Sequence, residues 1–264
     1  MQIVAVQLDI QWEDRAANHE KVRSLLSNQE ITPDTLIILP EMFDAGFSMN
    51  LAASAQSEAR ESEKFLADLA QEKGAVVLGG VVAPVENDMG SNEAVAFDAT
   101  GNELVRYRKM QPFTIGREDQ FYQAGNGYQL FEYAGATISP FICYDLRFPE
   151  VFRPAAAHGA ELIVVIASWP HVRSEHWVRL LQARAIENLA FVVGVNRCGA
   201  DPDHQYDGRS VAFDPLGNCL FEADGKEQVC VTKIDPDEAR DWRARFPALK
   251  DIRTFDGVSG NRPS

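Results

Sequence analysis

VAFDATGNEL (Val95–Leu104) and VAFDPLGNCL (Val211–Leu220) read as two versions of one hairpin: an apolar run, an Asp-x-x-Gly-Asn turn and a second run. Asp, Gly and Asn are common turn formers, so the letters alone would also suit two unrelated hairpins. The order of segments ahead of each copy carries more weight. Ahead of the first lie a strand at Gln2–Leu8 (QIVAVQL), an amphipathic helix at Arg15–Asn28, a buried strand at Thr35–Leu39 (TLIIL), a helix at Glu58–Lys73 closed by Gly74, and a strand at Ala75–Ala83. Ahead of the second lie a strand at Ala136–Cys143, a helix at Pro149–His158, a strand at Leu162–Ser168 (LIVVIAS), a helix at Ser174–Asn188 capped by Ser174, and a strand at Phe191–Asn196. Two similar α/β halves follow, each with helices on one face of a sheet and the other face free to pack on its partner. The expected architecture is α/β, a four-layer α-β-β-α sandwich. No Ser/Gly/Pro-rich linker separates the halves, so residues 1–264 are expected to form a single domain, ending in a helix from Asp235 and a mostly polar tail at Pro247–Ser264.

The chain's 264 residues suffice for such a core without staples. Its net charge of −14 argues against a nucleic-acid or anionic-membrane partner, and means that an anionic substrate needs a local Arg or Lys. Cys143, Cys198, Cys219 and Cys230 form no CxxC pair, which suggests neither a disulfide framework nor a zinc site and makes a reducing compartment the default. The N-terminus reads as no signal peptide, and no apolar run approaches the ~20 residues of a membrane span. A cytoplasmic protein is expected.

Three chemistry-bearing residues sit just beyond strand ends, where α/β sheets gather ligands. Glu41 follows TLIILP, Lys109 follows ELVRYR, and Cys143 follows TISPFI. Cys143 lies in SPFICYDLRFPE (Ser139–Glu150) between a strand and a helix starting at Pro149, a setting expected to lower its thiol pKa through the helix terminus. Taken singly, each has a plainer reading: a small buried hydrophobe for Cys143, a capping or ion-paired carboxylate for Glu41, a solvated hairpin end for Lys109. Together they supply a nucleophile, a base and an oxyanion donor without histidine.

With LPEMF (Leu39–Phe43), YRKMQPF (Tyr107–Phe113), EDQFYQAG (Glu118–Gly125) and CYDLRFPE (Cys143–Glu150), the sequence resembles the nitrilase superfamily of carbon–nitrogen hydrolases over essentially its whole length. The resemblance implies the same four-layer fold. It implies a triad of Glu41 as general base, Lys109 as oxyanion stabiliser and Cys143 as nucleophile forming a thioester. The backbone N–H of Tyr144 is implied as a second oxyanion donor, and Glu118 as a second glutamate beside the triad, although Asp119 is adjacent. It also implies a homodimer through the helices at Pro149–His158 and Ser174–Asn188.

EMFDAGFSM, CYDLRFPE and the later SWP are similar to ω-amidases, which release ammonia from short α-keto acid amides such as 2-oxoglutaramate or 2-oxosuccinamate. Phe43, Phe47, Phe113 and Trp169 follow the catalytic segments and either line a compact pocket or pack the core. Trp169 holds, in the second half, the strand-end place of Glu41. Arg173 is the candidate for a substrate carboxylate. Arg147 is read as structural, paired with Glu150 one turn on. Arg117 and Arg197 have no assigned role. GxSxG, HExxH, P-loop and GxGxxG patterns are absent, and the histidines (19, 158, 171, 176, 204) form no ligand set, so no metal and no organic cofactor are expected. The partner expected is a small carboxylated amide. Competing readings are a nitrilase, a deaminated glutathione amidase or an N-carbamoyl amino acid amidase, and a non-catalytic scaffold.

Overall fold

In a computed structural model, which describes residues 1–253, the chain runs through β1 (Gln2–Gln7), α1 (Arg15–Leu26), β2 (Thr35–Ile38), α2 (Leu51–Ser54), α3 (Glu61–Lys73), β3 (Val76–Val82), β4 (Asn92–Phe97) and β5 (Glu103–Arg108). It continues through β6 (Phe131–Tyr133), β7 (Ala136–Ile142), α4 (Pro149–Ala157), β8 (Leu162–Ala167), α5 (Ser174–Asn188), β9 (Phe191–Asn196), β10 (Cys198–Ala200), β11 (Gln205–Asp207), β12 (Val211–Phe213), β13 (Cys219–Glu222), β14 (Gln228–Lys233) and α6 (Pro236–Arg245). Of the expected polar tail, residues 254–264 lie outside the described residues.

The strands form two six-stranded sheets of matching topology, β14-β1-β2-β3-β4-β5 and β6-β7-β8-β9-β12-β13. In each, three parallel strands are flanked by an antiparallel edge strand on one side and an antiparallel hairpin on the other. Alternation sorts the parallel strands' side chains onto two faces. Ile3, Ala5, Leu36, Ile38 and Leu78 enter the core shared with the second sheet, whereas Val4, Val6, Ile37 and Val77 pack with Val22 of α1 and Phe65, Leu66 and Leu69 of α3. Each such Val, Leu or Ile contributes about 1.5–3 kcal/mol by leaving water. The second sheet carries α4 and α5 on its outer face, with Trp177, Leu181 and Ala185 turned inward at helical spacing. The layers are therefore α-β-β-α, as the repeated segments predict.

The two hairpins agree down to single hydrogen bonds. Asp98 N–H donates to Asn102 O at 2.9 Å and Asp214 N–H to Asn218 O at 3.0 Å. The Asp98 carboxylate accepts from Thr100 and Asn102 N–H, and the Asp214 carboxylate from Leu216 and Asn218 N–H. Gly101 and Gly217 both sit at φ +83°, which the turn requires and which a side chain would strain. Two helix starts differ from expectation. α3 begins at Glu61, and α5 has Arg173 rather than Ser174 before its first residue, without a side-chain cap, because the Ser174 hydroxyl is engaged by Arg209.

Candidate active site

Glu41 stands two residues beyond Leu39, where β2 gives way to a turn, and it is completely buried. The turn can cross the sheet only because β3 carries Gly80 beside it. A Cβ there would lie 2.6 Å from Glu41 Cα and 2.7 Å from Met42 N. Gly80 N–H donates to Pro40 O at 3.1 Å and Phe43 N–H to Gly80 O at 3.1 Å, and Met42 adopts φ +45° to complete the bend. The carboxylate is then held from the opposite half: Ser168 N–H, at the end of β8, donates to Glu41 Oε2 at 2.8 Å.

Lys109 follows β5 and is also buried. Its Nζ lies 2.9 Å from Glu41 Oε1, and 3.0 and 2.8 Å from the two oxygens of Glu118. Asn92, opening β4, bridges the carboxylates by donating its amide to Glu41 Oε1 at 2.7 Å and Glu118 Oε1 at 2.9 Å. Phe113 N–H fixes the other Glu118 oxygen at 2.6 Å. The segment is tied down at Gly125, whose N–H donates to Lys109 O at 2.8 Å and where a Cβ would come within 2.2 Å of Arg108 O. Burial alone would push the ammonium pKa down, but Glu118 and Glu41 outweigh it and hold Lys109 charged, well above its ordinary value.

Cys143 opens a tight 3₁₀ turn, Cys143–Arg147, directly after β7, and is half-buried with φ +48°. A non-glycine residue in that region carries strain of order 1 kcal/mol and needs external support. Asp145 supplies it. The buried carboxylate accepts from Ile142 N–H at 2.9 Å and Tyr107 OH at 2.7 Å through one oxygen, and from Gln111 N–H at 2.9 Å through the other. The cysteine turn is thereby bolted to β5 and to the strand exit that carries Lys109. Burial pushes the Asp145 carboxyl up to about 6 against the opposing pull of the Tyr107 and Ile142 donors.

Cys143 forms the floor of a cavity of about 350 Å³. Phe47, Phe113, Tyr144, Trp169 and Arg173, all singled out in the sequence, line it together with Arg147 and Tyr206. The Phe47 ring lies 5.2 Å from Lys109 Nζ, and Tyr144 packs edge-on to Phe113 with centroids 5.0 Å apart. Trp169 is clamped through Nε1–H to Arg173 O at 2.8 Å and N–H to Asn196 Oδ1 at 2.7 Å. Glu41, Lys109 and Glu118 form one buried hydrogen-bonded cluster that does not itself line the cavity, and Cys143, which does, lies near enough for all three charges to act on its thiol.

A model of the carbon-nitrogen hydrolase family matches residues 2–244. The chain belongs to that family. This carbon–nitrogen hydrolase is 33% identical to the 2-oxoglutaramate amidase of Bacillus subtilis, over 95% of this chain and 97% of the relative. It is 35% identical to omega-amidase YafV of Escherichia coli K12, over 97% and 98% of the two chains. Among solved structures it superposes on XC1258 of Xanthomonas campestris, a CN-hydrolase superfamily protein with an arsenic adduct in its active site, with a TM-score of 0.89, 34% identity and coverage of 98% and 99%.

Four readings of the sequence are decided in this hydrolase. First, the thiol pKa is raised, not lowered: burial and the Glu41 carboxylate push it well above the ordinary cysteine value, with Lys109 opposing. The terminus of α4 is no help, since that helix begins only at Pro149, after the 3₁₀ turn. The thiol therefore keeps its proton at neutral pH and needs a base. Second, no Arg147–Glu150 ion pair occurs among the described residues. The Arg147 guanidinium instead sits 4.8 Å over the Trp169 ring and 3.1 Å from His176 Nδ1, at the cavity. Third, of the two readings open for Phe43, pocket or core, the core one holds: it packs with His19 and Phe65 between α1 and α3. Fourth, the cysteine strand stops at Ile142, so that Cys143 is released from the ladder.

Asn92, Ser168, Asp145 and Tyr107 escaped the sequence reading. Asp145 and Ser168 lie within CYDLRFPE and SWP, where their neighbours drew notice, whereas Asn92 opens a hairpin with no local signal. Among the described residues no cluster of His, Cys, Asp and Glu is arranged to hold a metal ion.

Proposed function

We propose that this hydrolase is an ω-amidase, removing the terminal amide of a short α-keto acid amide of the 2-oxoglutaramate or 2-oxosuccinamate kind. The observation that carries the reading is the pair of guanidiniums beside the thiol. Arg147 and Arg173 both line the cavity and neither has a carboxylate partner among the described residues. Arg147 is held below its usual pKa first by burial and then by Arg173. In a chain of net charge −14, two close and unneutralised guanidiniums suit a substrate carboxylate. A cavity of about 350 Å³ lies at the small end for ligand sites, which favours a four- or five-carbon substrate. The near-full-length similarity to the B. subtilis and E. coli amidases supports the same reading.

Glu41 takes the Cys143 proton as sulfur attacks the amide carbon. The oxyanion forms between Lys109 Nζ and the Tyr144 N–H, which, in the first turn of the 3₁₀ segment, has no intrahelical acceptor. The tetrahedral intermediate collapses, Glu41 returns the proton to nitrogen, ammonia leaves and a thioester remains. Water, deprotonated by Glu41, attacks the thioester; the dicarboxylate leaves and the thiol is restored. Glu118 holds Lys109 throughout. Phe47, Phe113 and Trp169 form the walls, and Arg173 with Arg147 binds the carboxylate. Residues 1–264 act as one domain, since β14 returns from the second half to pair with β1. A homodimer through α4 and α5 is supported by Ile186, 50% exposed on α5 beside the exposed Leu216, and light scattering tests it. Four free cysteines fit a cytoplasmic setting.

Ammonia release from 2-oxoglutaramate, glutamine, an N-carbamoyl amino acid and an aliphatic nitrile tests the assignment. Turnover should be fastest with the keto-acid amide, and Arg147→Met should raise its KM about ten- to a hundredfold, the worth of a charged hydrogen bond. Turnover of another substrate with none of 2-oxoglutaramate would sink the assignment.

A further inference from the structure

Beyond the arginine pair, one wall of the cavity is built in an unusual way. Arg197 follows β9 and is completely buried, yet it hydrogen-bonds no carboxylate among the described residues. Its nearest acid, Asp9, is 3.9 Å from Nη2. Nε donates to Cys198 O at 3.2 Å, and Nη2 to Ile10 O at 3.1 Å and Ala200 O at 2.9 Å. Nη1 finds no acceptor among the described residues. A buried guanidinium satisfied only by carbonyls is expensive, and an apolar side chain of similar volume would serve a plain core position better. What the charge meets instead is the face of Tyr206, 4.4 Å from its centroid.

Tyr206 is held from its other end as well. Its hydroxyl donates to Asp201 Oδ2 at 2.5 Å, while Asp201 Oδ1 accepts from Asp203 N–H at 2.8 Å and His204 N–H at 2.7 Å. The ring lies on the β10–β11 ribbon, paired with Gly199. That ribbon is docked on the first half, with Cys198 N–H donating to Leu8 O at 2.9 Å, and Gly199 leaves no room for a side chain, since a Cβ would lie 1.9 Å from Asp9 Oδ1. An aromatic side chain 4% exposed, gripped by a cation on its face and a carboxylate at its tip, thus looks into the same cavity as Cys143.

We propose that Tyr206 is the wall that limits the length of the acyl chain accepted beside Cys143, and that Arg197 is the positioning residue that keeps this wall rigid. The inference rests on the ω-amidase reading for its choice of substrates, but concerns chain length rather than carboxylate binding. Arg197 touches no reacting atom and acts only through the ring it backs.

The test is kcat/KM of the full chain for α-keto ω-amides of four-, five- and six-carbon backbones. Tyr206→Ala should raise the six-to-five-carbon ratio about tenfold or more, the worth of a methylene in an apolar pocket. Arg197→Met should move the ratio in the same direction by a smaller factor, and Arg197→Lys should restore much of it. A merely structural defect would lower activity on all three amides and leave the ratio alone. If Tyr206→Ala does not fold, Tyr206→Leu, which keeps apolar bulk but loses the hydroxyl anchor, takes its place, with the same direction expected. An unchanged ratio in an active Tyr206 variant overturns the wall, and an unchanged ratio in Arg197→Met overturns the positioning role. A wild-type chain inactive on the whole series fails the ω-amidase reading itself, whereas active wild type with a fixed ratio fails this inference alone.

Discussion

In the first half, the outer hairpin strand β5 runs into Lys109, sealed at 1% exposure among two glutamates. In the second half, the matching strand β13 runs out along the surface, with Leu220 38% exposed and Glu222 paired, among the described residues, only with the partly exposed Arg209. The turns between the strands share their backbone hydrogen bonds and the Asp carboxylate's hold on two N–H groups, so turn chemistry does not decide the outcome. Cover decides it. Residues 110–125 fold back over the end of β5, bringing Glu118 and anchoring through Gly125, whereas the chain after β13 needs only Ala223–Glu227 to return along β14 to the first sheet. The parallel strands show a similar split. β2 ends at a carboxylate and β8 at Trp169, and the second half's Ser168 N–H supplies the hydrogen bond that the first half's Glu41 needs. The two similar halves are complementary rather than equivalent, and Glu41, Lys109 and Cys143 lie where their strand ends face one another.

Removing the second half's contribution should have the largest effect. Cys143→Ala should lower amide hydrolysis by about 10⁴-fold or more and abolish any acyl adduct seen by mass spectrometry, with little loss of stability for so small a side chain. Full activity in that variant would refute the thioester route.

The two hairpin ends allow a direct contrast. Lys109→Met should slow turnover about 10²–10³-fold and destabilise by about 3–5 kcal/mol, because it strips an oxyanion donor and leaves Glu41 and Glu118 without a counter-charge. Glu222→Gln, at the corresponding end of the second hairpin, should change the rate less than twofold and stability by about 0.5 kcal/mol or less. Similar effects at both ends would mean that the two hairpin ends do not differ in function.

Asp145, which bolts the halves together, gives a smaller effect with a definite sign. Its carboxyl is raised from the ordinary 3.8 to about 6, so the folded state favours the protonated form. That contribution is complete below about 3.8 and is lost as pH rises through about 6. Between pH 4 and 7, wild type should therefore lose on the order of 3 kcal/mol relative to Asp145→Asn, measured by urea unfolding of both proteins. A pH-independent difference would remove the premise of a strained, buried carboxylate.

The smallest effect belongs to the α1–α3 layer. His19, stacked 4.0 Å from Phe65, is lowered from 6.5 to about 4, chiefly by burial. Its neutral form stabilises the fold above pH 6.5, and that stability is lost as pH falls through about 4. His19→Leu should flatten the decline in melting temperature over that range, by less than the Asp145 effect because His19 is only partly buried. An identical acid limb in both proteins would clear His19.

How far the site could be read from the letters follows from which bonds are local. Glu41 and Cys143 were legible because each follows an apolar strand, and Lys109 because it ends the outer strand of a hairpin; strand ends are set by neighbouring residues. Arg147 was misassigned because helical spacing favours Glu150, while the actual partners, Trp169 and His176, come from beyond β8 and from α5. Asn92 carries no local mark at all, and only the convergence of Glu41 and Glu118 makes its amide a bridge. Arg197 had no role in the sequence because the ring it backs lies across a ribbon whose docking no periodicity encodes.

By itself, the sequence determined two α/β halves, their hairpins and a cysteine, glutamate and lysine at strand ends. Those depend on side-chain period, turn formers and helix ends, which act over a few residues. Tertiary structure alone decided that the thiol keeps its proton and that Arg147 faces the cavity instead of Glu150. It also made Asp145 and Ser168 the links between halves. Desolvation, close charges and hydrogen bonds across dozens of residues set these features, and they exist only once the two sheets have packed.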